Sequence, residues 1–423
     1  MTHGVIFTLL TQRVLITKYC HKDHFIILLI FNNLMAQPVR KNIGDKYITD
    51  HIYTMLIDGN ALLKVSMKDP KLNTRGEHVG GIFQFLLQLR KLIVQRNWDY
   101  VYVFFDDEDS GILRYELYKP YKANRDKKYG QHSQLSDYMK TYNETLKNMQ
   151  NAIFNKSYEK KVENNKDVSE DDANFARERL RLMSYFEELY IRCYMDPKTE
   201  ADDLIAYYVQ NRKPNEKIVI ATTDMDISQL ICEDVYVYNL RLKKAVTHLN
   251  FRREFGYHYE NICLKKIFCG DVSDNISNIK GLSENKFFEL MPEVKDRPVT
   301  IQEVKDRAQQ LIDERKAIKK KPLEVHKNIV NGIANKEYDG DYYEINEKII
   351  NLKKPLLTDE AKEAMDSMMY APQDPEGRSF KNIYEMIVED DIIDLLGDNQ
   401  FSGFFSVFKP LEQKEKKRFK EML

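Results

Sequence analysis

Four short runs of β-branched and aromatic residues punctuate the chain: IYTMLI (52–57), VYVFF (101–105), KIVIAT (217–222) and DVYVY (234–238). Each has the length of a strand and is nearly continuous in apolar character, as expected of strands buried on both faces. Between them, apolar positions recur at helical spacing. Ile82, Phe85, Leu86, Leu89 and Ile93 share one face, and Ala176, Leu180, Met183, Phe186 and Tyr190 share another. Ser169 and Asp172 make a capping-box pattern ahead of the second helix. Strands alternating with helices predict an α/β domain with a mainly parallel sheet over 51–255. A polar segment at 112–170 interrupts it, opening with ILRYELYKPYKANRDKKYG. A helical, lysine-rich region follows over 256–345, including DERKAIKKKP at 313–322. The final segment, 346–423, carries a basic tail, KEKKRFK, read as flexible or as a partner contact.

The acidic residues gain meaning from this scheme. Asp58 and Asp106 close the first two strands, and Asp224 and Asp226 follow the third. Glu200, Asp202 and Asp203, in KTEADDLIAYY, open the helix that precedes it. Taken alone, such a cluster reads as acids greeting a helix N-terminus, worth a few tenths to about 1 kcal/mol. In open α/β sheets, however, ligands bind beyond the carboxyl ends of the strands, so these carboxylates are expected to converge there. Independent decoration would not place acids at the ends of successive strands.

Composition narrows the classes. The chain has 423 residues, 43% hydrophobic and 31% charged, which suits a globular protein with a sizeable core and excludes wholesale disorder. Its formal net charge is −1, so affinity for nucleic acid has to come from local basic patches. Five cysteines without a CxxC pair read as reduced core thiols in a reducing, cytoplasmic compartment rather than as a disulfide or zinc framework. HFIILLIF (24–31) falls well short of the roughly 20 residues that span a bilayer. With basic residues before it and LMAQ after it, it resembles a signal peptide. The competing reading, favoured by the cytosolic character of everything downstream, places the native start at Met35 and makes 1–50 an extension.

Two carboxylates about 4 Å apart repel by roughly 4 kcal/mol at an effective dielectric near 20. A cluster therefore calls for protons or cations, and ligands that are all oxygen favour Mg²⁺ or Mn²⁺ over zinc. Two such ions about 3.5–4 Å apart suit phosphodiester hydrolysis. The neighbouring Tyr/Lys/Arg-rich stretch offers phosphate contacts and faces for unpaired bases, each stacked base worth about 1–3 kcal/mol. By itself KPYKANRDKK would be an ordinary solvated loop. Its conjunction with the acids carries the weight.

Seven pieces in order, LIDGNALL, NTRG, YVFFDDED, LRYELYKPYKANRDKKY, TEADD, ATTDMDISQL and GDVSDNISNIKGL, thread residues 52 to about 290. This ordered set resembles the 5′→3′ exonuclease and flap endonuclease family, especially its stand-alone bacteriophage members, including phage RNase H. The resemblance implies a PIN-like parallel sheet flanked by helices, a helical arch at 112–170 and a helix–three-turn–helix beyond residue 255. It implies Asp58, Asp106, Glu200, Asp202 and Asp203 around a first metal, and Asp224, Asp226, Asp271 and Asp274 around a second. Lys122 and Arg125 would contact the scissile phosphate, and Tyr121 would stack on the nucleotide being cleaved. Arg75, Lys119, Lys127 and Lys128 would add DNA contacts, with Gly281, Ser283 and Lys286 gripping duplex beside a potassium ion. Ser277-Asn278 and Ser283 stand where the family pattern has Pro-Gly and a second glycine.

The implied activity is a Mg²⁺-dependent structure-specific 5′ nuclease, with Mn²⁺ substituting, acting as a monomer on flap DNA, nicked duplex or RNA·DNA hybrid. Polymerase, clamp or single-strand-binding protein are the implied partners, no membrane is involved, and a phage-encoded chain would work in the host cytoplasm. Two other readings stay open at this point: a PIN-type ribonuclease on single-stranded RNA, and a non-catalytic module that binds branched DNA.

Overall fold

A computed structural model of the chain describes residues 51–107, 109–124 and 170–423. The 1–50 extension, Ser169 of the expected capping box and most of the expected arch lie outside the described residues.

The expected α/β fold is present. Six strands, β1 (Ile52–Asp58), β2 (Tyr100–Asp106), β3 (Arg192–Asp196), β4 (Glu216–Thr222), β5 (Val235–Asn239) and β6 (Lys244–Val246), form one sheet in the order 3-2-1-4-5-6. All neighbours are parallel except β6, which runs antiparallel to β5. The alternation of side chains splits the apolar runs between two cores. Met55, Ile57, Val103, Phe105 and Val219 enter one core, and Leu56, Tyr102, Phe104, Ile218 and Ile220 enter the other. Burial of both faces explains why these strands read as unbroken apolar runs.

β3 and β6 went unread in the sequence. β3, RCYMD, is five residues long, begins and ends on a charge, and is half-buried along its middle, with Arg192 pairing to Glu415, 223 positions away, at 2.8 Å and 3.1 Å.

Helices α1 (Gly59–Ser66), α2 (Gly80–Ile93) and α3 (Glu170–Glu188) cover the first face, and α4 (Ala201–Gln210) covers the second. The chain continues through α5 (Ile262–Cys269), α6 (Glu284–Leu290), α7 (Ile301–Ala317), α8 (Glu324–Asn331) and α9 (Tyr342–Ile350). These enclose a third core that includes Phe268, Ile279, Phe287, Val304, Ile329 and Tyr343.

The C-terminal helices α10 (Phe380–Glu389) and α11 (Lys409–Met422) return to the first core through Ile383, Ile387 and Leu411. The basic tail is thus neither flexible nor free for a partner along its inner face. Lys414 Nζ donates to Trp98 O at 2.7 Å and to Asp99 Oδ1 at 2.9 Å, and Glu415 is buried against Arg192. Among the described residues, no helix is long and apolar enough to cross a membrane. Cys193, Cys232, Cys263 and Cys269 are free thiols, as expected.

Candidate active site

The order of the sheet reverses between β1 and β4, which is where an open α/β sheet leaves a crevice beyond its carboxyl ends. A cavity of about 240 Å³ occupies that position. Asp58 is the last residue of β1 and caps α1, accepting from Ala61 N at 2.9 Å and from Thr222 Oγ1 at 2.7 Å. Asp106 ends β2 and accepts from Asn60 Nδ2 and from Ala201 N, each at 2.8 Å, which ties the start of α4 to the strand. Asp196, at the end of β3, shapes the approach to α4 by accepting from Lys198 N at 2.9 Å and Thr199 N at 2.8 Å. That turn delivers Glu200 and Asp202 to the cavity.

Asp224 and Asp226 follow β4, with Asp226 N donating to Asp224 Oδ1 at 2.8 Å. Asp271 and Asp274 arrive from the loop after α5. Gly270 has φ +76° there, and a Cβ would sit 2.8 Å from both Asn278 N and Ile276 O, so only glycine makes this turn. Carboxylate oxygens of Asp226, Asp271 and Asp274 lie within 4.8 Å of one another.

The cavity lining holds eight carboxylates, Asp58, Asp106, Glu200, Asp202, Asp224, Asp226, Asp271 and Asp274, against four cations, Lys64, Arg114, Lys122 and Lys266. Burial, then the charges of Asp106 and Asp224, pushes the Asp58 carboxyl up to about 6 despite its hydrogen bonds. Burial and Asp224 push Asp226 up to about 7 against the pull of Lys266. Asp202 is raised well above the usual range by burial and by Asp224, Asp58 and Asp106. Glu200 goes the other way. Burial opposes its charge, but Lys122 and Arg114 hold it down at about 2.

These shifts set a stability dependence on pH for the metal-free protein. Asp58 and Asp226 bind protons more tightly folded than unfolded, where a carboxyl titrates near about 3.9. Stability therefore falls as pH rises through roughly 4 to 7, the sign that applies when the native state holds more protons. Glu200 acts oppositely, but only below about 4.5, outside that window. In EDTA the melting temperature is expected to be higher at about pH 5.5 than at about pH 8, with saturating Mg²⁺ flattening the difference. Calorimetry at the two pH values checks this, and a Tm that rises with pH would overturn it.

The structure corrects two expectations, those for Asp203 and Tyr121. Asp203 does not line the cavity. It is fully buried behind Arg114, accepting from both of its terminal guanidinium nitrogens and from Leu356 N, the last at 3.0 Å. Tyr121 offers no face for stacking: it is 2% exposed, and its hydroxyl donates to Glu200 Oε2 at 2.9 Å. Arg75 is held by Glu77 at 2.8 Å, away from the cavity lining. Lys119 is exposed, 4.4 Å over the Tyr115 ring. Arg125, Lys127 and Lys128 lie outside the described residues.

At the hairpin, the resemblance implies a potassium site, but the carbonyls there are engaged. Gly281 O accepts from Lys286 Nζ at 3.0 Å and Leu282 O from Asn278 Nδ2 at 2.8 Å, while Ser283 Oγ caps α6. The residues present do not fit that ion.

Three participants were not singled out in the sequence. Arg114 pairs with Glu200 at 2.7 Å as well as with Asp203, Lys266 bridges Asp226 and Asp271, and Asn60 orients Asp106. Arg114 and Asn60 sit inside the quoted motifs. Lys266 was legible only as a lysine one helical turn ahead of Gly270.

The family model of the 5′-3′ exonuclease N-terminal resolvase-like domain matches residues 53–256. The 5′-3′ exonuclease of Mycoplasmopsis pulmonis is 28% identical over 235 residues, 54% of this chain and 63% of that protein. The thermostable DNA polymerase I of Thermus caldophilus is 23% identical over 242 residues, 56% of this chain and 24% of the polymerase. The chain thus spans less than two-thirds of the first relative and about a quarter of the second. Among solved structures, a bacteriophage T5 flap endonuclease pseudo-enzyme–product complex with DNA and metal ions superposes with a TM-score of 0.49 at 14% identity, over 85% of this chain and 99% of that one. Over residues 53–256 the chain is thus similar to the N-terminal resolvase-like domain of 5′-3′ exonucleases.

Proposed function

We propose that the protein is a divalent-metal-dependent 5′ nuclease that hydrolyses phosphodiesters near the 5′ end of flap, nicked or RNA-primed DNA. One observation carries the reading: eight carboxylates face four cations in a single cavity. The four charges left over equal those of two divalent cations. The donor set is all oxygen, which suits Mg²⁺ and admits Mn²⁺. Asp58, Asp106, Glu200 and Asp202 would hold one ion, and Asp224, Asp226, Asp271 and Asp274 the other. When bound, such ions lower the pKa of an attacking water and neutralise charge developing at the phosphate.

The protein's own cations do the positioning. Burial would drive the Lys122 ammonium down, but Glu200, Tyr121 and Asp274 push it well up, so it stays charged at neutral pH. Lys122 lines the cavity beside Glu200, placed to meet a non-bridging phosphate oxygen. It holds a positive φ of 52°, fixed by its own N–H donating to Asp274 O at 3.0 Å. Arg114, buried beneath Glu200, keeps that carboxylate ionised and oriented.

The test is a cleavage assay on a 5′-labelled flap duplex and a matched substrate with a 5′ RNA segment, with Mg²⁺ or EDTA. Metal-dependent release of short 5′ products is expected, and the ratio of the two rates assigns the preferred substrate. Binding without cleavage would overturn the reading in favour of a branched-DNA-binding module. Cleavage of unstructured RNA alone would make the protein a ribonuclease.

A further inference from the structure

The hairpin that follows Asp274 is braced from outside by a segment more than 40 residues downstream. Asn328 Nδ2, on α8, donates to Lys280 O at 2.9 Å, and Lys280 N donates to Ile333 O at 2.9 Å. Asn335 N reaches Asn278 O at 3.1 Å, and Lys336 N reaches Ser277 Oγ at 3.1 Å. These are the positions where Ser277 and Asn278 replace the family's Pro-Gly. The Lys280 amide, which an approaching phosphate would otherwise use, is already taken by a protein carbonyl.

The same brace fixes a strongly basic turn beside the hairpin. Residues 315–327 contain six lysines and arginines, Arg315, Lys316, Lys319, Lys320, Lys321 and Lys327, against one acid, Glu324, in a chain whose net charge is −1. The turn is built rather than loose. Arg315 Nε donates to Lys321 O at 2.9 Å, Lys320 N to Arg315 O at 2.8 Å, and Lys319 sits in the left-handed region at φ 59°. With the Arg315 side chain spent on the backbone, Lys319, Lys320 and Lys321 are all exposed, and none has an ion-pair partner among the described residues. Lys316 and Lys327 meet Asp313 and Glu324 only on the surface.

The turn lies close to the hairpin. A Cβ on Gly281 would have Val325, in the first turn of α8, as its nearest neighbour at 3.9 Å. Lys321 is four residues before Val325, so it stands no more than about 14 Å away. Duplex carries a charge every 1.7 Å or so of its axis with both strands counted, so a length equal to that span carries about eight phosphates.

We propose that Lys319, Lys320 and Lys321, with Lys280 beside them, form a duplex-phosphate pad that extends the grip of the hairpin away from the cavity. Sequence-independent attraction of lysines to backbone charge replaces the Lys280 amide contact that the brace occupies. The pad rests on the nuclease reading above and names the part of the substrate that the downstream helices hold.

The experiment measures salt-dependent affinity of the full chain for flap duplex and for single-stranded oligonucleotide, alongside Mg²⁺-dependent cleavage. The triple variant Lys319→Ala, Lys320→Ala and Lys321→Ala is compared with the corresponding triple arginine variant and with wild type. Loss of three phosphate contacts is expected to flatten the slope of log K against log salt by about 2.7 for duplex. KM should rise at least tenfold at moderate salt, with kcat and Tm unchanged and arginine restoring affinity. An unchanged slope in a wild type that cleaves overturns the pad and leaves these lysines to solvent or to an acidic protein. Equal losses on duplex and single strand also overturn it. A wild type that cleaves nothing overturns the nuclease reading instead, whatever the slopes show.

Discussion

Asp202→Asn is expected to abolish metal-dependent cleavage while making the metal-free protein more stable. Asp202 opens α4 and lines the cavity together with Asp58, Asp106 and Asp224. Burial, followed by the charges of Asp224 and Asp58, raises its carboxyl, so the ionised form is disfavoured where no cation is present. Asparagine keeps the shape and removes the charge. In EDTA the melting temperature should therefore rise at neutral pH, and the stabilisation by Mg²⁺ should shrink, since ligand-induced stability follows RT ln(1 + [L]/Kd). Loss of an outer partner of a metal ligand costs about 10–100-fold in affinity or activity, and loss of a direct carboxylate should exceed that. Thermal melts with and without Mg²⁺, beside the flap assay, read both halves. An unchanged cleavage rate would remove Asp202 from the site.

Asp203→Ala, one residue further along, should do something different. Its carboxylate is fully buried and binds Arg114 through two nitrogens, with Leu356 N as a third donor. Truncation leaves a buried guanidinium supported only by Glu200 and by Ile349 O at 2.8 Å. Breaking a buried pair from one side costs about 3–5 kcal/mol, a large part of an ordinary total of roughly 5–15 kcal/mol. The denaturant midpoint should fall accordingly, and cleavage should decline as Arg114 pulls Glu200 out of line. The resemblance to the exonuclease family implies a metal ligand at this position. Normal stability with complete loss of cleavage would restore that role and overturn the structural assignment.

Several features of the protein were legible early because they depend on local pattern. Runs such as VYVFF and KIVIAT are apolar at every position because both faces of β2 and β4 are covered. β3 escaped notice because it is five residues long and begins and ends on a charge, and its Arg192 is accommodated by Glu415, from a helix at the far end of the chain. α11 looked like a solvated tail because its outer face is lysine-rich, while its inner face is only Leu411 and Glu415. The family resemblance implies a base-stacking role for Tyr121, yet its hydroxyl is buried against Glu200.

The positions of the acids at strand ends, and so the place where charge gathers, follow from the sequence by itself. A strand's apolar run sets where it stops, and the residue after the last buried position faces the crevice. Which acids enter the cavity was decided by tertiary structure. Successive residues of a helix point about 100° apart, so Asp202 and Asp203 leave α4 in different directions. The rotation of α4 about its axis is set by Leu204, Ile205 and Tyr208 packing against the sheet. That packing turns Asp202 toward the crevice and Asp203 toward Arg114, a partner 89 positions away whose charge makes its burial tolerable.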